Sequence, residues 1–212
     1  MVHVLRNSSA GFFSWKHQRI TTVQSLGKTI YISHGGDCVR IGNIWGQMEV
    51  NESEEMQGKY EEADTLITFH IGRVKRGTVV IRSSDTDVAV VLTALAPRKP
   101  DMSIIMDYGS GNTRRFIDIS SIARELEKQQ PGLCDALPGF HSLTGCDFTS
   151  SVYKEGKQKP FELLTTDQGN KYLGGIQSLT SSDVDYESIT AYVCRIYGEK
   201  RRRDIDEARY DS

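Results

Sequence analysis

The chain has 212 residues, 38% hydrophobic and 25% charged, which excludes a disordered or fibrous chain and leaves enough length to bury a real core. Its net charge of −2 and pI near 6.2 exclude a global basic field for nucleic acid, though not a local basic patch. No apolar run approaches the ~18–20 residues that span a membrane, and residues 1–30 lack the apolar stretch of a signal peptide, so an intracellular protein is expected. Cys38, Cys134, Cys146 and Cys194 are far apart and show no C-x-x-C spacing, so they read as free buried thiols rather than a zinc site.

Residues 1–58 read as a β-rich segment followed by a linker. Residues 29–33 and 38–41 are β-like runs on either side of His34-Gly35-Gly36-Asp37, a hairpin loop. Trp15 and Trp45 read as packing residues, and His17 and His34 have no partner at metal-ligand spacing. Residues 49–59 are polar and acidic and read as the linker. Leu66, Ile67, His70 and Ile71 then recur at helical spacing, with Glu61, Glu62 and Asp64 in the helix's first turn. Acids there favour the helix macrodipole. Alternatively, Glu62 and Asp64 point toward the end of the next strand.

That strand is the β-branched run Val79-Val80-Ile81, expected to be buried on both faces. It stops at Ser83-Ser84, and Asp85 and Asp87 follow at i and i+2. Two readings compete. The acids cap the next helix, or they deliver hard oxygen ligands for Mg²⁺ or Mn²⁺ at the carboxyl end of a strand. Residues 88–95 form an apolar helix or strand, ended by Ala96-Pro97. A strand at 103–106, turn residues at 107–112 and a returning strand at 114–119 read as a hairpin. Asp118 or Ser120 is the candidate cap of a helix over 121–130, with Ile122, Ala123 and Leu126 as its apolar face and Pro131-Gly132 as its stop.

An apolar helix then ends at Gly145, and a further acid, Asp147, follows. Lys154, Gly156, Lys157 and Lys159 precede or open another helix. A glycine before a lysine-bearing helix is either a simple turn or a phosphate site. Residues 165–183 show no clear period, and 186–197 form an amphipathic helix. Lys200 to Arg203 is a basic cluster balanced by Asp204, Asp206 and Glu207, a solvated tail or a nuclear-localisation patch.

Three acidic sets thus stand in order: Glu62-Ala-Asp64 opening a helix, Asp85-Thr-Asp87 after a strand, and Gly145-Cys-Asp147 after a later helix. In this order and context they resemble the flap-endonuclease-like branch of the PIN-domain superfamily, the structure-specific 5′ nucleases. The segment 137–147 is also similar to a divergent group of PIN-like proteins in animal genomes. The resemblance covers roughly residues 60–165. It implies an α/β, three-layer PIN-like fold around a mostly parallel central sheet, with a nuclease core at 59–165 and a helical C-terminal extension at 166–212. It implies Glu62, Asp64, Asp85, Asp87 and Asp147 as metal ligands for Mg²⁺ or Mn²⁺, with Asp85, Asp87 and Asp147 catalytic. Lys154, Gly156, Lys157 and Lys159 would contact the backbone of branched or single-stranded DNA or RNA, in a nuclear setting.

The chain departs from that pattern in three ways. The family's earlier acid-bearing strands and its substrate-threading arch find no convincing equivalent in residues 1–60, so the sheet is expected to be incomplete at its N-terminal side. The lysine turn lacks the family's full Gly-Ile-Gly. A catalytically silent nucleic-acid-binding or protein-interaction module that kept the fold is therefore the alternative function, and an α/β domain whose acids only cap helices is a third.

Overall fold

The structure, a computed structural model, describes residues 4–6, 30–34, 37–44, 47–54, 57, 63–147, 149–152, 154–166 and 170–198. Glu61, Glu62, Trp15, Trp45, His17 and the 200–203 basic cluster lie outside the described residues. The chain divides into two compact units, Met1–Val88 with Arg98–Ser120, and Ala89–Pro97 with Ser121–Ser212.

The first unit holds two sheets. One has the order β1 (Val4–Arg6), β2 (Ile30–His34), β3 (Asp37–Ile44), β4 (Gln47–Glu52), with β1 parallel to β2 and the remaining pairs antiparallel. The expected hairpin is there, with His34 opposite Asp37. The expected linker is partly wrong, because residues 49–52 belong to β4. Its Glu49, Val50, Asn51 and Glu52 are exposed, so this edge strand is held by backbone bonds to β3 and carries no buried alternation to betray it.

Helix α1 (Ala63–Arg73) follows, with His70 and Ile71 buried and Leu66 and Ile67 half-buried, the face its spacing predicts. It leads through Val74 to Arg76 into the second sheet, of order β5 (Gly77–Arg82), β6 (Met102–Tyr108), β7 (Arg115–Asp118). β5 and β6 are parallel, joined through helix α2 (Thr86–Leu95) and a 3₁₀ turn at Ala96–Arg98. β6 and β7 are the expected antiparallel hairpin. Register places Val79 beside Ile104, and Ile81 beside Met106, all four buried on one face. Val80 is only half-buried, so β5 is not the doubly buried strand its composition suggests. The Ser120 hydroxyl accepts from the Ile104 N–H at 2.9 Å and donates to the Met102 carbonyl. It extends the β6 ladder past the end of β7 rather than capping a helix.

The α/β class is as expected, but the single mostly parallel sheet is not found among the described residues. There are two sheets there, each with one parallel pair. The antiparallel pairs arise where connections are short hairpins, which cannot reverse the chain into a parallel neighbour.

The second unit is helical: α3 (Ile119–Gln129), which begins at the end of the first unit, α4 (Leu133–Thr144), α5 (Gln158–Leu164), α6 (Asn170–Ser178) and α7 (Tyr186–Ile196). α3 buries Ile119 and Ala123, at i and i+4, and packs Leu126 against the helical core, so of the expected face only Ile122 is turned outward. Leu133, Ala136, Phe140, Leu164, Tyr172, Leu173, Ile176, Tyr192 and Ile196 form the core of α4 to α7. Glu127 of α3 accepts from the Gly132 and Cys134 N–H groups at 2.8 and 2.9 Å, supplying the acceptor that a glycine N-cap lacks. α6 lies in the stretch where no period was visible. It is set by packing, since a Cβ on Gly139 would overlap the Ile176 carbonyl oxygen, and one on Gly175 would lie 2.6 Å from Ser188 Cβ. The two glycines let α4 and α7 approach α6 closely. Among the described residues no helix is long and apolar enough to cross a membrane.

Gly139→Ala is expected to cost about 1–3 kcal/mol by overpacking against backbone. Gly174→Ala, on the exposed side of α6 with nothing within 4 Å of the added methyl, should instead gain about 0.5–1 kcal/mol. Denaturant titration of both variants checks this, and equal effects would contradict the packing of α6.

Burial lowers the pKa of His70. Its neutral form is favoured by folding, so the unfolded chain binds the proton more readily below the ordinary histidine pKa of about 6.5. Stability is then full above that pH and declines as pH falls through it toward the lower folded value. Urea titrations from pH 7.5 to 5 should show a decline that His70→Gln lacks; identical slopes for the two proteins would contradict it.

Candidate functional site

The Asp85-x-Asp87 pair sits where β5 ends and α2 begins. After Arg82 the backbone turns through Ser83, whose hydroxyl accepts from the Asp85 N–H at 3.1 Å. Asp85 Oδ1 then accepts from the Asp87 N–H at 2.9 Å. Asp85 precedes Thr86, the first helical residue, so this is N-cap geometry, with a side-chain oxygen satisfying an N–H in the helix's first turn. The capping reading holds here. One oxygen of Asp85 caps α2, while the residue is exposed and Asp87 is half-exposed at the same strand end.

The residue that organises this end of the sheet is Asp107, which the sequence suggested only as turn chemistry. It is buried, with a side chain only 7% exposed. Arg82 Nη1 donates to its Oδ1 at 2.7 Å. Arg114 donates from Nε to Oδ1 and from Nη2 to Oδ2, each at 2.8 Å, a bidentate fork. Hydrogen bonds from Arg114 outweigh the opposing cost of burial and, with those from Arg82 and both positive charges, hold the Asp107 carboxyl below its ordinary range. The carboxylate in turn raises the pKa of Arg114. The cluster therefore stays ionised at neutral pH. Register explains the convergence, because Arg82 pairs with Asp107 across β5 and β6, and Asp107 pairs with Phe116 across β6 and β7. A signal existed in the sequence, since each apolar run ends in a charge, Arg82 and Asp107. The parallel pairing that aligns them is not readable from composition.

The other expected site residues fall as follows. Asp64, half-buried in the first turn of α1, accepts from the Thr65 N–H at 2.6 Å, a purely local bond. Glu62 lies outside the described residues. Asp147 belongs to the helical unit, exposed in a tight turn just after α4. Gly145 ends that helix at a φ of 107°, and Cys146 and Thr149 exchange backbone hydrogen bonds across the turn at 3.2 Å. The Thr149 hydroxyl ties the turn to the Ser142 carbonyl at 2.6 Å.

The lysine turn is in the same unit. Lys159 pairs with Glu155 at 2.6 Å, and Lys157 Nζ lies 2.8 Å from His141 Nδ1, so both ammonium groups already have partners within the unit. Lys154 is exposed in the left-handed region at φ 56°, and Gly156 is exposed. Asp64, Asp85 and Asp87 thus share one unit, and Asp147 with the lysine turn occupies the other. Among the described residues no three His, Cys, Asp or Glu side chains stand together as a metal-holding group. Comparison of the chain with protein-family models, curated proteins and solved structures found no match.

The cap gives a prediction that separates charge from hydrogen bonding. Asp85→Ala should lower stability by about 1 kcal/mol, whereas Asp85→Asn, an equally good N-cap, should leave it nearly unchanged. Equal losses in thermal unfolding without metal would contradict the cap.

Proposed function

We propose that the chain is a Mg²⁺- or Mn²⁺-dependent nuclease of the 5′-nuclease type, on a PIN-like fold, hydrolysing phosphodiester bonds in DNA or RNA. The observation that carries this reading is the placement of Asp85 and Asp87 just past the carboxyl end of β5, one strand of the sheet's parallel pair, where open α/β sheets carry their sites. The donor set suits hard cations that keep several waters, since both groups are carboxylates on an open strand end and Asp85 keeps one oxygen outside its capping bond. Asp85 and Asp87 would hold the ion. When bound, such an ion supplies an activated water and neutralises charge on the phosphodiester oxygens. The residues' own contributions are to fix the carboxylates, Asp85 through the Asp87 N–H and the Asp85 backbone through Ser83.

A second reading, a catalytically silent nucleic-acid-binding or protein-interaction module, has a specific observation in its favour. The Asp85 carboxylate already has a structural task as the cap of α2, which accounts for an acid there without metal.

Thermal unfolding in EDTA, Mg²⁺ and Mn²⁺ separates the two. The nuclease reading expects Mn²⁺ to raise the Tm of wild type by several degrees and to leave Asp85→Asn/Asp87→Asn unmoved, because an ion that binds only the folded state must stabilise it. It also expects cleavage of flapped or single-stranded oligonucleotides by wild type alone. No metal response in wild type, with no cleavage, would sink the nuclease reading in favour of the silent module.

A further inference from the structure

The end of the β5–β6–β7 sheet carries a second feature that the carboxylate pair does not use. Strand alternation puts Arg82, Asp107 and Phe116 in one row on the same face, because they pair directly across the three strands. Arg114, two residues before Phe116, joins that face, its guanidinium carbon 5.5 Å from the Phe116 ring centroid. Phe116 is 65% exposed on β7, an edge strand, an unusual position for a large apolar ring. Arg115 alternates to the other face and lies over Tyr108.

The arginines are pre-positioned and still half in solvent, with side chains 51% and 53% exposed. Asp107 uses one donor of Arg82 and two of Arg114, and each guanidinium has five. The carboxylate fixes the two forks without covering them, so their entropy of ordering is already spent. Asp118, further along the Phe116 face, is the acid that borders the row, so its positive side is the strand end where Arg82 and Arg114 stand.

We propose that this row is a binding surface for single-stranded nucleic acid, with backbone phosphate oxygens on Arg82 and Arg114 and an unpaired base stacked on Phe116. Guanidinium forks match phosphate oxygens bidentately, and an exposed aromatic ring beside a cationic track is the arrangement that sequence-tolerant single-strand binders use. The Asp and Glu side chains of an acidic peptide would satisfy the arginines but bring no aromatic ring to stack on Phe116, and a duplex hides its base faces. The proposal rests on the nuclease reading only for the class of polymer; binding here needs no metal.

The test is fluorescence anisotropy of the full chain with labelled oligothymidylate and oligouridylate of about 12 nucleotides, the scale of a single-strand site, in EDTA at low salt. Wild type should bind, a blunt duplex should bind more weakly, and polyglutamate should compete poorly. Phe116→Ala should weaken binding about tenfold, a typical loss for one stacked base, while Phe116→Trp should retain it. Phe116 is exposed, so neither variant threatens the fold, and circular dichroism checks that. Arg82→Gln should weaken binding and flatten its salt dependence.

No binding by wild type, wild-type affinity in Phe116→Ala, or polyglutamate competing as well as the oligonucleotide would overturn the proposal. The metal response of Asp85 and Asp87 is measured separately. A lost Phe116 effect with an intact Mn²⁺ shift overturns this surface alone, and the converse overturns the nuclease reading alone.

Discussion

A carboxylate buried at the end of a sheet is the constraint on which this rim depends. Asp107 follows the apolar run of β6 and sits out of water, where an unpaired charge is costly. The fold meets that cost with two guanidiniums drawn from different parts of the chain. Arg82 ends the neighbouring parallel strand, and Arg114 comes from the far side of the hairpin loop. The three strand ends are therefore joined by side chains as well as by the backbone ladder. The chain leaves this fixed point three residues before Asp85, so the carboxylate pair is presented from a strand end that Asp107 anchors.

The helical unit solves a different problem, that of packing a short, glycine-bearing helix closely between its neighbours. α6 is short and carries paired glycines, and by propensity it is a poor helix. Gly139 on α4 and Gly175 on α6 convert that weakness into contact, because missing Cβ atoms let backbones meet. Tyr172 and Tyr192 then pack with ring centroids 5.5 Å apart, and the buried Tyr192 hydroxyl donates to the Pro160 carbonyl at 2.7 Å, tying α7 to α5. Burial pushes that phenol's pKa well above its ordinary value, so it stays protonated at physiological pH. The unit's rigid α4 ends at Gly145 and holds Asp147 in a cross-bonded turn.

Much of this was legible in the sequence where one physical signal dominated. The 3.6 period marked α1 and α7, Gly145 marked the end of α4, and β-branched or apolar runs broken by turn residues marked β5 and the β6–β7 hairpin. The failures also have causes. β4 is a polar edge strand, which looks like a linker because its partner supplies hydrogen bonds and not a core. α6 depends on glycine contacts with residues far away in the chain. The mostly parallel central sheet was expected from resemblance to a fold, and among the described residues local hairpins formed two mixed sheets instead. Within the candidate site, the capping role of Asp85 was one of two readings available from a strand–Asp-x-Asp–helix pattern. Asp107 was missed because its partners, Arg82 and Arg114, meet it through strand register, which single-sequence patterns do not encode.

The nuclease proposal stands or falls on the strand end at Asp85 and Asp87 being a cation site. The most direct measurement is paramagnetic broadening by Mn²⁺ of the assigned amide spectrum of the full chain. The account predicts that substoichiometric Mn²⁺ broadens the amides of Ser83 to Val88 first, and that Asp85→Asn/Asp87→Asn removes that broadening while its spectrum stays folded. Broadening that begins elsewhere, or that persists in the double variant, would contradict it.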